Sequence, residues 1–227
     1  MAAEQLWKLH VKVADPGTVA DHASIVAQCL GDENWILCRA ALQLLGTVEP
    51  SLLMEHANDV TKCLGEEKYL VPMQAIVHQT TLKTLGQLSP ADLATCAREI
   101  ANSTEAEQWL VRHAALQVLS KLEPATLAEF AVLQHAIMKC FGDEQALVRR
   151  EAVRTLGKLE PSILERHVSA LLDCIPDPDE TVRRAALDAL GKLDRAVLDQ
   201  HRGKIDICLA DDQVYVRYGA RKIFKPQ

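Results

Sequence analysis

One short phrase recurs along the chain. Leu45-Gly46-Thr47-Val48-Glu49-Pro50 returns as Leu85-Gly86-Gln87-Leu88-Ser89-Pro90 and Leu119-Ser120-Lys121-Leu122-Glu123-Pro124. It returns again as Leu156-Gly157-Lys158-Leu159-Glu160-Pro161, and Leu190-Gly191-Lys192-Leu193 opens a fifth copy. Pro16, Pro50, Pro90, Pro124 and Pro161 stand 34, 40, 34 and 37 residues apart. A repeat of this length is one supersecondary unit that hides its apolar face only against copies of itself. Such a chain offers an extended surface more readily than a single catalytic pocket.

The fifth repeat shows the local logic. Pro161 starts a helix, because proline at the first helical position forfeits only an amide that would be unpaired anyway. Leu164, Val168, Leu171 and Ile175 follow at steps of three and four, the spacing of one helix face. Pro176-Asp177-Pro178-Asp179 stops that helix, since proline cannot continue the ladder. A second helix is predicted from about Glu180 to Lys192, with Val182, Ala186, Leu187, Leu190 and Leu193 as its stripe. Gly191 near its end permits close packing or helix exit. Other repeats obey the template. Val19, Leu53, Leu93, Leu127, Leu164 and Leu198 stand three after the proline or its equivalent, Arg195. Ala23, Ala57, Ala97, Ala131 and Val168 stand seven after it, where a small residue lets neighbouring helices approach. Two insertions interrupt the register: six residues around Gly65 to Gln74, and three in the first helix of the fourth repeat.

The expected fold class is all-α, one solenoid over 1–227. Its units are 16–47, 50–87, 90–121, 124–158, 161–192 and 195–225, with a capping helix inside 1–13. Arg195, Arg202, Asp206 and Arg221 make the last unit more polar, as a terminal cap requires.

An acid in the turn followed by Val-Arg at the start of the second helix resembles the HEAT repeat. The carriers are Asp143 with Val148-Arg149, Asp177 or Asp179 with Val182-Arg183, and Asp211 with Val216-Arg217; Val111-Arg112 fits as well. Trp35 and Trp109 match the aromatic found just before that pair. The resemblance implies a right-handed superhelix of about six helix pairs, an Asp–Arg ladder between units, and second helices lining a concave side. Cys38 and His78 stand where the arginine belongs, so no ladder is expected between about residues 30 and 80.

Composition narrows the functions. Apolar residues make up 48% of the chain and aromatics only 4%, which suits closely packed helices of Leu, Ala and Val. A net charge of −6 argues against bulk nucleic-acid binding as the main role. No apolar run approaches the ~20 residues of a membrane span. The first residues lack a basic stretch followed by an apolar one, so no secretory signal is expected. Cys29, Cys63, Cys174 and Cys208 each stand thirteen after the opening proline or its equivalent, and Cys140 fills that slot once the insertion is allowed. Recurrence of this kind marks small buried hydrophobes, reduced thiols and a cytoplasmic setting.

His22, His56, His167 and His201 each precede one of these cysteines by seven residues. Two helical turns span roughly 10 Å, whereas zinc holds each ligand at about 2.0–2.3 Å. A His and a Cys so placed cannot share an ion, so no metal or other cofactor is expected. HEAT-like iron enzymes use His-Glu pairs, and here the one adjacent pair is the reverse, Glu55-His56. No phosphate loop or nucleophile elbow is present. The expected chain is therefore not an enzyme.

A polar ridge remains. Steps of four keep Arg39, Gln43 and Thr47 on one side of a helix. The same offsets give Gln79, Lys83 and Gln87; His113, Gln117 and Lys121; Arg150, Arg154 and Lys158; and Arg184, Asp188 and Lys192. Arg39, Lys83, Lys121, Arg150, Arg154, Lys158, Arg184 and Lys192 are thus the candidate partner-binding residues. They suit a protein or peptide segment, acidic or phosphorylated, through charge-assisted bonds. An ordinary solvated helix face is the plainer reading, and a nucleic-acid-binding or DNA-repair solenoid using the same ridge is the alternative. No membrane partner is expected, and the sequence sets no oligomeric state.

Overall fold

The computed structural model describes residues 16–65 and 67–224, so the helix expected within 1–13 lies outside the described residues. Among those residues every regular element is helical and no strand occurs. Three α-helices make each repeat. The first repeat has α1 (Pro16–Asp21), α2 (Ala23–Ala27) and α3 (Trp35–Leu45). The second has α4 (Pro50–Glu55), α5 (Ala57–Gly65) and α6 (Val71–Leu85), and the third α7 (Pro90–Thr95), α8 (Ala97–Asn102) and α9 (Trp109–Leu119). Then come α10 (Pro124–Glu129), α11 (Ala131–Lys139) and α12 (Ala146–Leu156). The fifth repeat has α13 (Pro161–Leu164), α14 (Val168–Asp173) and α15 (Glu180–Leu190). The sixth has α16 (Arg195–Gln200), α17 (Arg202–Asp206) and α18 (Val214–Ile223). The helices form stacked pairs, the first partner of each pair being bent in two. Two compact bodies, Met1–Leu122 and Glu123–Gln227, hold three repeats each.

The bend is a departure from the single first helix expected from the sequence. The backbone N–H of His22, His56, Cys96 and His201 bonds the carbonyl three residues back, at 3.0–3.1 Å, instead of four. The buried stripe explains it. Leu53, Ala57, Val60 and Cys63 take ten residues for three turns, whereas an α-helix takes about 10.8. One tighter step keeps the stripe aimed at the core. In the fifth repeat a 3₁₀ turn, Glu165–His167, does the same work.

The alanine rule holds for Ala23, Ala57 and Ala97, which are buried. It fails at Ala131, which is exposed, and Val168 is only half-buried. The three inserted residues turn Ala131 outward and bring Leu133, Ala136 and Ile137 into the core instead. Gln134 answers the bend beside them: its Nε2 donates to the carbonyls of Leu127 (3.0 Å) and Ala128 (2.9 Å).

Helix ends follow local chemistry. Pro50, Pro90, Pro124 and Pro161 occupy first helical positions. Asn34 and Asp179 cap α3 and α15 by accepting the N–H two residues on. The recurrent glycine is a packing device, not a left-handed exit. Gly46, Gly86, Gly157 and Gly191 all keep right-handed helical angles. A Cβ on Gly157 would lie 3.0 Å from the Ala189 Cβ, so α15 crosses α12 where no side chain fits. On Gly46 the nearest atoms would be 3.5 Å away, and there the Thr84 hydroxyl bridges α6 to α3 by donating to the Leu42 carbonyl (2.8 Å).

Candidate functional site

Four of the turns before a second helix share a core. A turn aspartate accepts the N–H two residues on: Asp32 from Asn34 (2.7 Å), Asp143 from Gln145 (2.9 Å), Asp177 from Asp179 (2.9 Å) and Asp211 from Gln213 (2.8 Å). In the second body an arginine locks the turn to its neighbour. Arg149 Nη1 donates to the carbonyls of Asp143 (2.9 Å) and Glu144 (3.2 Å) in its own repeat. Its Nε and Nη2 reach Asp177 of the next repeat at 2.7 and 2.8 Å. Arg183 repeats the arrangement. Nη1 takes the carbonyls of Asp177 and Pro178, while Nε and Nη2 grip Asp211 at 2.7 and 2.9 Å. Of the two acids open to Arg183 in its own turn, Asp177 therefore serves the ladder and Asp179 serves as the cap. The Arg149 and Asp177 side chains are 12% and 9% exposed, so this bidentate pair is shielded from solvent.

Electrostatics follow the geometry. The Arg183 fork holds the Asp211 carboxyl below its ordinary range, and the Thr181 hydroxyl does the same for Asp179. The bond to Asp211 in turn raises the Arg183 guanidinium, and the bond to Asp177 raises that of Arg149.

The first two repeats lack the arginine, and the six-residue insertion supplies a substitute. The Tyr69 hydroxyl donates to the Asp32 carbonyl (2.5 Å), and Lys68 Nζ donates to the Gly31 carbonyl (3.3 Å). Cys38, standing in the arginine's place, points its thiol at the Leu30 carbonyl. The insertion thus hands polar groups back to a turn that has lost its own. Gln74 steadies it by accepting from the Tyr69 N–H (3.1 Å).

The ridge residues divide into two kinds. Lys121 Nζ donates to the Gly86 carbonyl and Lys192 Nζ to the Gly157 carbonyl, both at 2.5 Å. Each is a cation at the C-terminal end of the preceding repeat's second helix, a favourable place beside the helix dipole. Arg184 is occupied too: Nε meets both Asp188 oxygens at 3.0 Å, Nη1 donates to the Tyr215 carbonyl, and the Tyr218 ring lies 5.9 Å away. Lys83, Arg154 and Lys158 are exposed, and Arg39 and Arg150 are half-buried. Arg154 is 64% exposed and lies 4.0 Å from Glu151. In the first body, Arg39, Gln43, Gln79, Lys83 and Gln87 line an open cleft of about 310 Å³ between α3 and α6.

The sequence reading missed the top of the ridge. Three residues before its first member stand Ile36, Ile76, Leu110, Leu147 and, on α18, Tyr215. These are exposed, from 37% for Ile76 to 70% for Tyr215. Only α15 departs, with Thr181 there. The signal lay in the sequence at offset minus three, hidden because an apolar residue at helical spacing reads as core.

Among the described residues no group of three or more His, Cys, Asp or Glu side chains is placed to hold an ion. His22 Nδ1 lies 2.9 Å from the Thr18 carbonyl, and His167 Nε2 lies 2.9 Å from Gln134 Oε1 of the previous repeat. Burial, then Arg166, push the His167 imidazole down. All seven cysteines are buried and free. Burial, then Asp177 and Asp173, push the Cys174 thiol up to about 12. No helix among the described residues is long and apolar enough to cross a membrane.

The family model for HEAT repeats matches residues 135–220. That segment holds the Arg149–Asp177 and Arg183–Asp211 rungs of the arginine ladder. The likeness of fold extends over most of the chain. An archaeal HEAT-like repeats protein from Thermococcus onnurineus NA1 superimposes with a TM-score of 0.65, at 15% identity, covering 97% of this chain and 94% of the other. An engineered protein superimposes with a TM-score of 0.68, at 12% identity, covering 88% of this chain and 94% of its own. These identities speak for the fold alone. No curated protein matches the chain.

Proposed function

We propose that this HEAT-repeat chain is a non-enzymatic interaction scaffold. It binds an extended partner segment along the ridges of its second helices. The observation that carries the reading is the pairing, on one helix side, of an exposed apolar residue with polar or basic groups one and two turns on. Leu147 with Arg150, Arg154 and Lys158 is the strongest instance, and Ile36 with Arg39 and Ile76 with Lys83 are others. A matching segment carries acidic groups interleaved with apolar ones, so that charge selects it and apolar contact holds it. Lys121, Arg184 and Lys192 hold the scaffold together more than they contact the partner. Seven buried free thiols suit a reducing compartment such as the cytoplasm.

The test is capture from lysate by the wild-type chain and by a variant carrying Leu147→Ser and Arg154→Glu. The ridge reading expects the variant to fold and to lose partners that the wild type retains. An unchanged partner set would leave the ridge a solvated face. Loss of duplex DNA binding at low salt, with no protein captured, would put the nucleic-acid reading in its place.

A further inference from the structure

A bridge between neighbouring second helices is missing in the first body. Lys121 Nζ spans to the Gly86 carbonyl and Lys192 Nζ to the Gly157 carbonyl. Gln87 holds the same repeat position opposite Gly46. Its Nε2 instead donates to the Lys83 carbonyl of its own helix, at 3.3 Å. It is here, between α3 and α6, that the cleft of about 310 Å³ opens.

The lining of this cleft is chemically one-sided. Arg39 and Lys83 bring two cations, Gln43, Gln79 and Gln87 bring three amides, and no carboxylate lines it. In the second body the ridge cations have acids beside them, Asp188 for Arg184 and Glu151 for Arg154. Among the described residues Arg39 and Lys83 meet no carboxylate, and the side-chain amides of Gln43 and Gln79 make no hydrogen bond. The Thr80 and Thr84 hydroxyls already donate to the carbonyls of Ile76 and Leu42, so the cations and amides are the donors left for a ligand. Arg39 and Gln79 hold matching repeat positions, as do Gln43 and Lys83, so the two cations face each other diagonally with an amide opposite each. The Gly46 carbonyl lies at the negative end of α3 and repels an anion there, which favours the Arg39 and Gln79 end. Ile36 and Ile76, both exposed, flank that end.

We propose that this cleft is a docking pocket for one phosphorylated side chain of the partner segment. Arg39 forks onto two phosphate oxygens and Lys83 pairs with the group as a point charge. The inference rests on the ridge reading and names the group that the first body selects. A phosphate brings about −1.5 to −2 charge and three acceptor oxygens, more than a carboxylate offers to two cations and their amides. One pocket beside Ile36 and Ile76 suits a single modified residue with apolar neighbours. It does not suit the row of phosphates along a nucleic acid.

Nuclear magnetic resonance titration of the full chain tests this, with short peptides that differ only in a central phosphoserine, glutamate or serine between leucines. The phosphoserine peptide is expected to move the Gln43 and Gln79 side-chain amide resonances and to bind at least about tenfold more tightly than the glutamate peptide. Its affinity should fall as pH drops through about 6, where the phosphate gains a proton, and no imidazole lines the cleft to imitate that step. Arg39→Gln and Lys83→Gln should each weaken it at least about fivefold. Lys83 is exposed, so its variant reports even where Arg39→Gln unfolds. A phosphoserine peptide that binds no better than the glutamate peptide, leaves these amides unmoved, or keeps its affinity in Lys83→Gln overturns the proposal. So does inorganic phosphate that binds as tightly as the peptide, or a single-stranded oligonucleotide that binds these amides more tightly. The two readings fail separately. Equal binding of the phosphoserine and glutamate peptides at these amides sinks the phosphate pocket and leaves the ridge. Capture unchanged by Leu147→Ser with Arg154→Glu sinks the ridge reading and leaves the phosphoserine result standing.

Discussion

At the scale of the residue, similar arginines do different work according to what surrounds them. Arg183 is shielded and makes five hydrogen bonds across two repeats. Arg154 stands in solvent near one carboxylate. A hydrogen bond to a charged group contributes about 1.5–3 kcal/mol, while exposed ion pairs contribute about 0–1 kcal/mol. Arg183→Ala is therefore expected to lower unfolding free energy by at least about 2 kcal/mol, and Arg154→Ala by less than about 0.5 kcal/mol. Urea titration of both variants checks this, and equal losses would contradict the ladder. Acid should expose the same pair. The folded pKa of Asp211 is depressed, so its contribution is present above the unfolded value of about 3.9 and is lost as pH falls through the folded value. His167 is also depressed. Its contribution is complete above about pH 6.5 and declines as pH falls toward its folded value. His167→Gln should flatten stability in that upper window and leave the acid limb unchanged, as read by thermal unfolding against pH. The thiols add a simple check: being buried, they should react with a thiol reagent only after the chain unfolds.

At the scale of the element, what the sequence showed depended on whether a pattern had one physical cause or two. The proline starts, the apolar positions three residues on and the second helices were legible because each follows from a single rule of helix geometry. The bend at His22, His56, Cys96 and His201 was not, because steps of three and four look the same whether one helix runs on or tightens once. Gly191 was ambiguous between exit and packing until its right-handed angles and the nearness of Ile223 showed packing. The insertion near Tyr69 read as a break in register, yet it completes the turn at Asp32 through contacts made far along the chain. Two predictions belong here. Gly157→Ala forces a Cβ to 3.0 Å from Ala189 and should cost about 1–3 kcal/mol, the usual range for overpacking. Gly46→Ala meets only ordinary contacts and should be neutral or stabilise by about 0.4–1 kcal/mol. Thermal unfolding of the pair separates them, and the opposite order would contradict the close crossing of α12 and α15.

At the scale of the whole molecule, the chain separates two tasks that its sequence blends into one basic column. The turns and the glycine crossings hold repeats together, and Lys121, Arg184 and Lys192 belong partly to that work. The outer ridge is left with exposed apolar tips and with cations such as Lys83 and Arg154. The repeat architecture was legible because its signal is multiplied along the chain. The composition of the ridge was not, because exposure at Leu147 or Tyr215 depends on neighbours that a single helix does not reveal. The most direct measurement of the central claim is quantitative partner capture by the Leu147→Ser, Arg154→Glu chain, at a temperature where its unfolding curve matches the wild type. Loss of the captured segment by a fully folded variant is the predicted result. Capture at wild-type levels would show that recognition does not use the ridge.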